Sequence, residues 1–205
     1  MGRRILAVFA VVAGMTLSGV VFGSGRTPIT GWNLDKWGTP HLGNSIWECP
    51  KRGVEGRYLT SWTNGNKKMK GTCTGGFATG KWQQWHENGE LMWKGEWEGG
   101  LPTGTWKAYH DNGKKWARGT FVNGLRTDEF SYWYDNGELW AEGDWIEDKE
   151  AGCWVVYYKN GELALRGAYV DGEKVDKWLY WDEQGNRRPE IYGGETTQGK
   201  CFWNL

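Results

Sequence analysis

The sequence predicts an all-β fold: an elongated single-layer antiparallel sheet of stacked β-hairpin repeats with a 24-residue period, capped at both ends. Three observations predict it. The 205 residues include 33 Gly and 17 Trp but only 5 Pro, a composition suited to many short strands joined by tight turns. A 24-residue unit recurs along most of the chain. Within each unit an Asn-Gly pair, or a close relative, separates two aromatic-rich runs. The Gly content lacks the triplet period of collagen, and so much Trp is foreign to disordered chains.

The period is exact in register. The strings GKWQQWHENGELMWKGEW, GTWKAYHDNGKKWARGTF, DEFSYWYDNGELWAEGDW and GCWVVYYKNGELALRGAY begin at Gly80, Gly104, Asp128 and Gly152, with weaker copies from Gly56 and Asp176. An aromatic stands third in every unit: Tyr58, Trp82, Trp106, Phe130, Trp154 and Trp178. Asn-Gly occupies the ninth and tenth places from Asn64-Gly65 to Asn160-Gly161, and Gln184-Gly185 replaces it in the last unit. A second Gly follows at Gly71, Gly95, Gly119, Gly143 and Gly167.

Asn-Gly between two such runs predicts a hairpin with a two-residue type I′ turn, because both residues tolerate positive φ. A looser turn then leads to the next unit. In the unit from Asp128 this register gives one face Phe130, Tyr132, Tyr134, Leu139, Ala141, Gly143 and Trp145. The other face receives Glu129, Ser131, Trp133, Asp135, Glu138, Trp140, Glu142 and Asp144. Alternation of this kind marks a half-buried strand pair. It also sets each second Gly across from a third-place ring, Trp82 facing Gly95 and Trp106 facing Gly119, so that the ring can lie flat on bare backbone.

The pattern G-x-W-x-x-[YW]-x-x-N-G-x-x-x-x-x-G-x-[WFY] resembles the MORN-variant repeat over roughly 56–187. The resemblance implies an elongated sheet of stacked hairpins used for binding, with no catalytic residues to carry over. Bacterial proteins of this type are often labelled antitoxins of a toxin–antitoxin pair. The organisation read from the chain is a targeting segment at 1–23, an N-terminal cap at 24–55, repeats at 56–187 and a C-terminal cap at 188–205. Trp32, Trp37 and Trp47 fall in the first cap, where Ile46–Cys49 is expected to add a half-hairpin strand.

The first segment has the form of a secretory signal peptide: Arg3 and Arg4, an apolar run from Ile5 to Ala13, and small residues before Ser24. If uncleaved it would be an N-terminal anchor, the chain's expected membrane contact. Export to the periplasm or cell surface is therefore expected. Arg3 and Arg4 are the only charges in 1–23, so cleavage takes a net charge of zero to about −2. That charge argues against nucleic acid and anionic lipid as partners. An even count of cysteines in an exported chain favours disulfides. Cys49 and Cys73 share one place in the 24-residue frame and Cys153 and Cys201 another, which predicts Cys49–Cys73 and Cys153–Cys201. Regularly stacked units would hold such positions about 10 Å apart, too far for a disulfide, so the caps must fold back off-register.

No catalytic motif, metal-ligand set or cofactor fingerprint stands out, and the chain is read as non-enzymatic. His86 and His110 recur one unit apart at a place that is Tyr134 and Tyr158 elsewhere, which reads as a structural ladder. The candidate binding site is an aromatic stripe on the polar face. Trp85 is expected beside Met92, Tyr109 beside Trp116, Trp133 beside Trp140 and Tyr157 beside Ala164, with Trp181 continuing the line. Its rim would be Lys81, Lys94, Glu96, Lys107, Arg118, Glu129, Glu142 and Arg166. An exposed aromatic stripe with a charged rim marks a binding surface. A protein partner is the expected ligand; a cell-envelope glycan and a periplasmic immunity role are the alternatives.

Overall fold

The structure, a computed structural model, describes Cys49, residues 55–195 and Cys201. The targeting segment and most of both caps, Trp32, Trp37 and Trp47 included, lie outside the described residues. Among the described residues there are twelve strands and no helix. They are β1 Gly56–Ser61, β2 Lys67–Thr74, β3 Phe77–Trp85, β4 Leu91–Glu98, β5 Leu101–Tyr109, β6 Lys115–Val122, β7 Leu125–Trp133, β8 Leu139–Ile146, β9 Lys149–Tyr157, β10 Leu163–Val170, β11 Glu173–Trp181 and β12 Arg187–Tyr192. Each pairs antiparallel with the next, in sequence order, to form one open sheet. Each 24-residue unit contributes one hairpin, and the last unit closes as well, with Lys177 paired to Tyr192.

The two kinds of turn are exchanged relative to the sequence expectation. The two-residue type I′ turn falls between units, where Gly75-Gly76 (φ 59° and 82°) links the pair Thr74–Phe77. Asn123-Gly124, Asp171-Gly172 and even Glu147-Asp148 (φ 50° and 66°) do the same further on. At Asn88-Gly89 only the glycine is left-handed, at φ 94°. His86 N donates to Glu90 O at 2.8 Å and Gly89 N to His86 O at 3.0 Å. That is a three-residue loop, a type I turn followed by a left-handed glycine. The Asn side chain accounts for the choice. Asn88 Oδ1 accepts from Glu90 N at 3.0 Å while Nδ2 donates to Asp111 O of the next unit at 2.6 Å. The same bridge recurs from Asn64 to Glu87 O, Asn112 to Asp135 O, Asn136 to Lys159 O and Asn160 to Glu183 O.

A three-residue loop alone would invert the faces of one strand. A second irregularity just beyond it restores them. Trp133 pairs with Leu139 but Tyr132 pairs with Ala141, so one residue, Trp140, is left over as a β-bulge. Met92 and Trp116 are left over in the same way. The expected faces therefore hold through the body of each hairpin, and Leu139 and Trp140 change places.

One face is the core. Trp82, Trp106, Phe130, Trp154 and Trp178 are buried on it, with Trp93, Trp97, Phe121, Tyr132 and Trp145. Neighbouring rings meet edge to face, as Trp97 on Trp106 (5.2 Å), Phe121 on Phe130 (5.5 Å) and Trp145 on Trp154 (5.5 Å), the arrangement their quadrupoles favour. The third-place ring does lie on a glycine, but on that of the preceding unit. Trp82 is paired with Gly95 in the ladder, yet a Cβ built on Gly71 would sit 1.9 Å from the Trp82 ring, and one on Gly95 would sit 2.1 Å from Trp106. The cause is a register shift in the ladder between units, with Lys70 opposite Gln83 but Thr72 opposite Thr79. Left-handed Gly80 (φ 65°) lies in the shifted stretch. Trp82 Nε1 then reaches back to Thr72 O at 3.1 Å, and Trp154 and Trp178 reach back to Asp144 O and Ala168 O at 3.2 Å. Each core ring thus clamps two units together, which is how a single sheet makes a core without a second layer.

Both expected disulfides form, Cys49–Cys73 with Cα atoms 6.2 Å apart and Cys153–Cys201 at 5.6 Å. Cys49 comes within reach because it is off the regular ladder, its N donating to Gly76 O at the β2–β3 turn (2.8 Å). At the other end the chain curls back after β12: Gly193 N donates to Asp176 O and Gly194 N to Lys174 O.

Candidate functional site

The face opposite the core carries the site. Strand alternation puts the sixth residue of each unit there: Trp85 on β3, Tyr109 on β5, Trp133 on β7, Tyr157 on β9 and Trp181 on β11. All five are half-buried. Occupying every second strand, they stand about 10 Å apart in a line across the sheet.

The partners expected for them differ in the structure. The bulge takes the thirteenth residue of each unit off this face. Trp140 packs against Tyr132 and Tyr134, at 6.0 Å from each, and Trp116 against His110 at 6.5 Å. Lys68, at the same place two units before Trp116, lies over Trp62 at 4.3 Å. The residues beside the line are instead the twelfth ones. Trp85 is opposite Leu91, Tyr109 opposite Lys115, Trp133 opposite Leu139 and Tyr157 opposite Leu163. Trp116, Trp140 and Met92 therefore leave the expected stripe, and Leu91, Leu139 and Leu163, which sequence alternation assigned elsewhere, enter beside it. Only the loop type could have signalled this exchange.

Cations cap several of the rings. Lys67 lies over Trp85 (5.7 Å), Lys115 over Trp133 (5.4 Å) and Arg166 over Trp181 (5.4 Å), distances at which an ammonium or guanidinium is held by the ring's negative face. The backbone under the line is tied to the preceding unit by the seventh-place side chains. Trp62 Nε1 donates to Trp85 O (3.0 Å), Tyr134 OH to Tyr157 O (2.9 Å) and Tyr158 OH to Trp181 O (2.8 Å). His86 and His110 fill the same role, each Nε2 on the carbonyl of Tyr109 (3.0 Å) or Trp133 (2.9 Å). A carbonyl only accepts, so both rings carry their proton on Nε2. The histidines are rungs of a structural ladder. Burial of Tyr134 holds its hydroxyl up at about 12.

The charged rim is unevenly sorted. Lys70, Lys94, Lys107 and Arg118 lie towards one end of the line. Glu129, Glu142 and Asp144 lie together on β7 and β8, with Glu129 directly opposite Asp144. Burial, and then repulsion from Glu129, raises the carboxyls of Glu142 and Asp144. Towards the other end this face turns apolar: Val155, Ala168, Val175 and Leu179 are buried, beside the Cys153–Cys201 bridge. Among the described residues no group of three or more His, Cys, Asp or Glu is placed to hold a metal ion.

Residues 78–97 and 102–123 match the MORN repeat variant, so these two stretches are MORN-variant repeats. No curated protein matches the chain. Among solved structures, the chain is similar to one titled "Crystal structure of GtfA/B complex bound to UDP and GlcNAc", at 10% identity over 75% of this chain and 29% of that one. Its TM-score is 0.19, so the likeness carries no argument here.

Proposed function

We propose that this chain is an exported, non-catalytic repeat scaffold that binds a protein partner along the face bearing Trp85, Tyr109, Trp133, Tyr157 and Trp181. The observation that carries the reading is this line of half-buried aromatics, held at even spacing by hydrogen bonds from the preceding units. Aromatic side chains dominate protein interfaces when a rigid surface presents them among charges. The cations over Trp85, Trp133 and Trp181 favour protein over glycan. A sugar stacks flat on a ring face, and in three of the five rings that face is already taken. Two disulfides and the signal-like N-terminus support an oxidising compartment outside the cytoplasm. A periplasmic immunity role is one form such binding could take.

The test immobilises the chain and challenges it separately with envelope proteins and with purified cell-wall glycan. A specific protein retained by the native chain and lost with Tyr109→Ala/Trp133→Ala supports the reading. Retention of glycan that the same substitutions abolish overturns it in favour of a glycan-binding module.

A further inference from the structure

The zero net charge of the chain conceals a strong local imbalance. On the face described above, the ladder places Lys70 opposite Gln83, Gln83 opposite Lys94, Lys94 opposite Lys107 and Lys107 opposite Arg118. The result is a row of four cations crossing five strands, about 19 Å long. All four are exposed, and among the described residues none makes an ion pair. Like charges directly opposite on a sheet are destabilising, and here they follow each other twice, Lys94–Lys107 and Lys107–Arg118. Solubility alone would be served by alternating signs, as where Lys81 meets Glu96 at 3.8 Å. The row ends abruptly, since Arg118 is followed by Ser131 and then Glu142.

The aromatic line runs beside this row. Trp85 stands two residues along β3 from Gln83, and Tyr109 two along β5 from Lys107, so cations and rings form parallel tracks about 7 Å apart. We infer that this half of the face docks an acidic segment of the protein partner, its carboxylates on Lys70, Lys94, Lys107 and Arg118 and its apolar side chains against Tyr109. The inference rests on the protein-binding reading above and names the chemistry of the partner. A nucleobase or sugar would need the ring faces, and Lys67 already lies over that of Trp85. Carboxylates instead gain from that additional cation.

The test is fluorescence anisotropy on the full chain with a labelled peptide of alternating Glu and Phe. Its comparators are the same peptide with Gln for Glu, polygalacturonate and single-stranded DNA. The expected result is binding of the Glu peptide that weakens steeply with salt and falls at least tenfold in Lys94→Glu/Lys107→Glu. That variant keeps a like-charge pair across positions 94 and 107, now acidic, and gains an opposite-charge pair between position 107 and Arg118, so it should melt close to the native chain, and it should bind a Lys-Phe peptide that the native chain rejects. Equal binding of the Gln peptide overturns the acidic-segment inference and leaves the aromatic line intact. Weaker binding of the Glu peptide by Tyr109→Ala/Trp133→Ala, with its salt dependence retained, supports both readings, whereas unaltered binding there refutes the aromatic line and the apolar contact on Tyr109 and leaves only the cation row as the docking site. Tighter binding of polygalacturonate or DNA than of the Glu peptide, or no binding of the Glu peptide, overturns the inference.

Discussion

Replacing Gly95 with Ala tests how the units are held together. The added methyl would lie 2.1 Å from Cδ2 and 2.2 Å from Cε2 of Trp106, well inside the ordinary van der Waals separation of about 3.5 Å. Backbone on both sides of the ladder fixes the glycine, so the indole must move. Overpacking of this kind costs about 1–3 kcal/mol. Trp106 is 5% exposed and touches Trp93, Trp97 and Phe121 with ring centroids 5.2–5.7 Å away. Displacing the indole adds about 0.5–1.5 kcal/mol for each ring pair it breaks. We expect Gly95→Ala to destabilise by about 3–5 kcal/mol in urea unfolding. The penalty should nearly vanish when measured in a Trp106→Ala background, and should persist in a Trp82→Ala background. The second comparison is decisive, because Trp82 is the residue paired with Gly95 in the ladder and Trp106 the one whose ring covers it. Coupling to Trp82 instead of Trp106, or a cost below about 1 kcal/mol, would refute the account of the core.

Other outcomes follow from the turns, the ladder and the staples. Glu147→Gly relieves a left-handed non-glycine residue at φ 50° and should stabilise by about 0.5–1 kcal/mol after the entropy of the added glycine is counted. Asn112→Ala removes the donor to Asp135 O and the acceptor for Lys114 N, for an expected loss of about 1–2 kcal/mol seen as a lower urea midpoint. Tyr134 has its hydroxyl raised from 10.0 to about 12. Because the folded value lies above the unfolded one, its contribution is present below pH 10 and is lost as pH rises towards 12; Tyr134→Phe should flatten that part of the stability profile. Cys153→Ser/Cys201→Ser opens a loop of 48 residues and should cost about 4 kcal/mol by the loop-entropy relation, measured as a drop in Tm under non-reducing conditions.

Much of this architecture is legible in the sequence because its period is a backbone property. The 24-residue spacing of Asn-Gly and of the paired aromatics and glycines fixes strand number and order and the register in the body of each hairpin, and Phe130 opposite Gly143 follows directly. The turn type is not legible in the same way. Asn-Gly suits a two-residue turn by its φ preferences, but the amide of Asn88 also bonds to Asp111 O in the next unit, a partner that exists only once hairpins stack. That tertiary bond accompanies the three-residue loop, and the compensating bulge moves Trp140 from the exposed face to the side of Tyr132. Nor does the alternation reveal which unit's glycine a ring covers, since the shift at Gly80 arises in the ladder between units. The cation row was hidden for a different reason. Lys70, Lys94, Lys107 and Arg118 stand 11 to 24 residues apart in the chain, and only the strand register sets them side by side.

The central claim is that the face bearing Trp133 is the one that meets a partner. A photo-crosslinking phenylalanine analogue at position 133, and separately at position 140, tests it in living cells. The account predicts a discrete protein adduct from position 133 and none from position 140, which packs against Tyr132 and Tyr134. Adducts from position 140 alone, or adducts at 133 that are glycan and contain no protein, would contradict it.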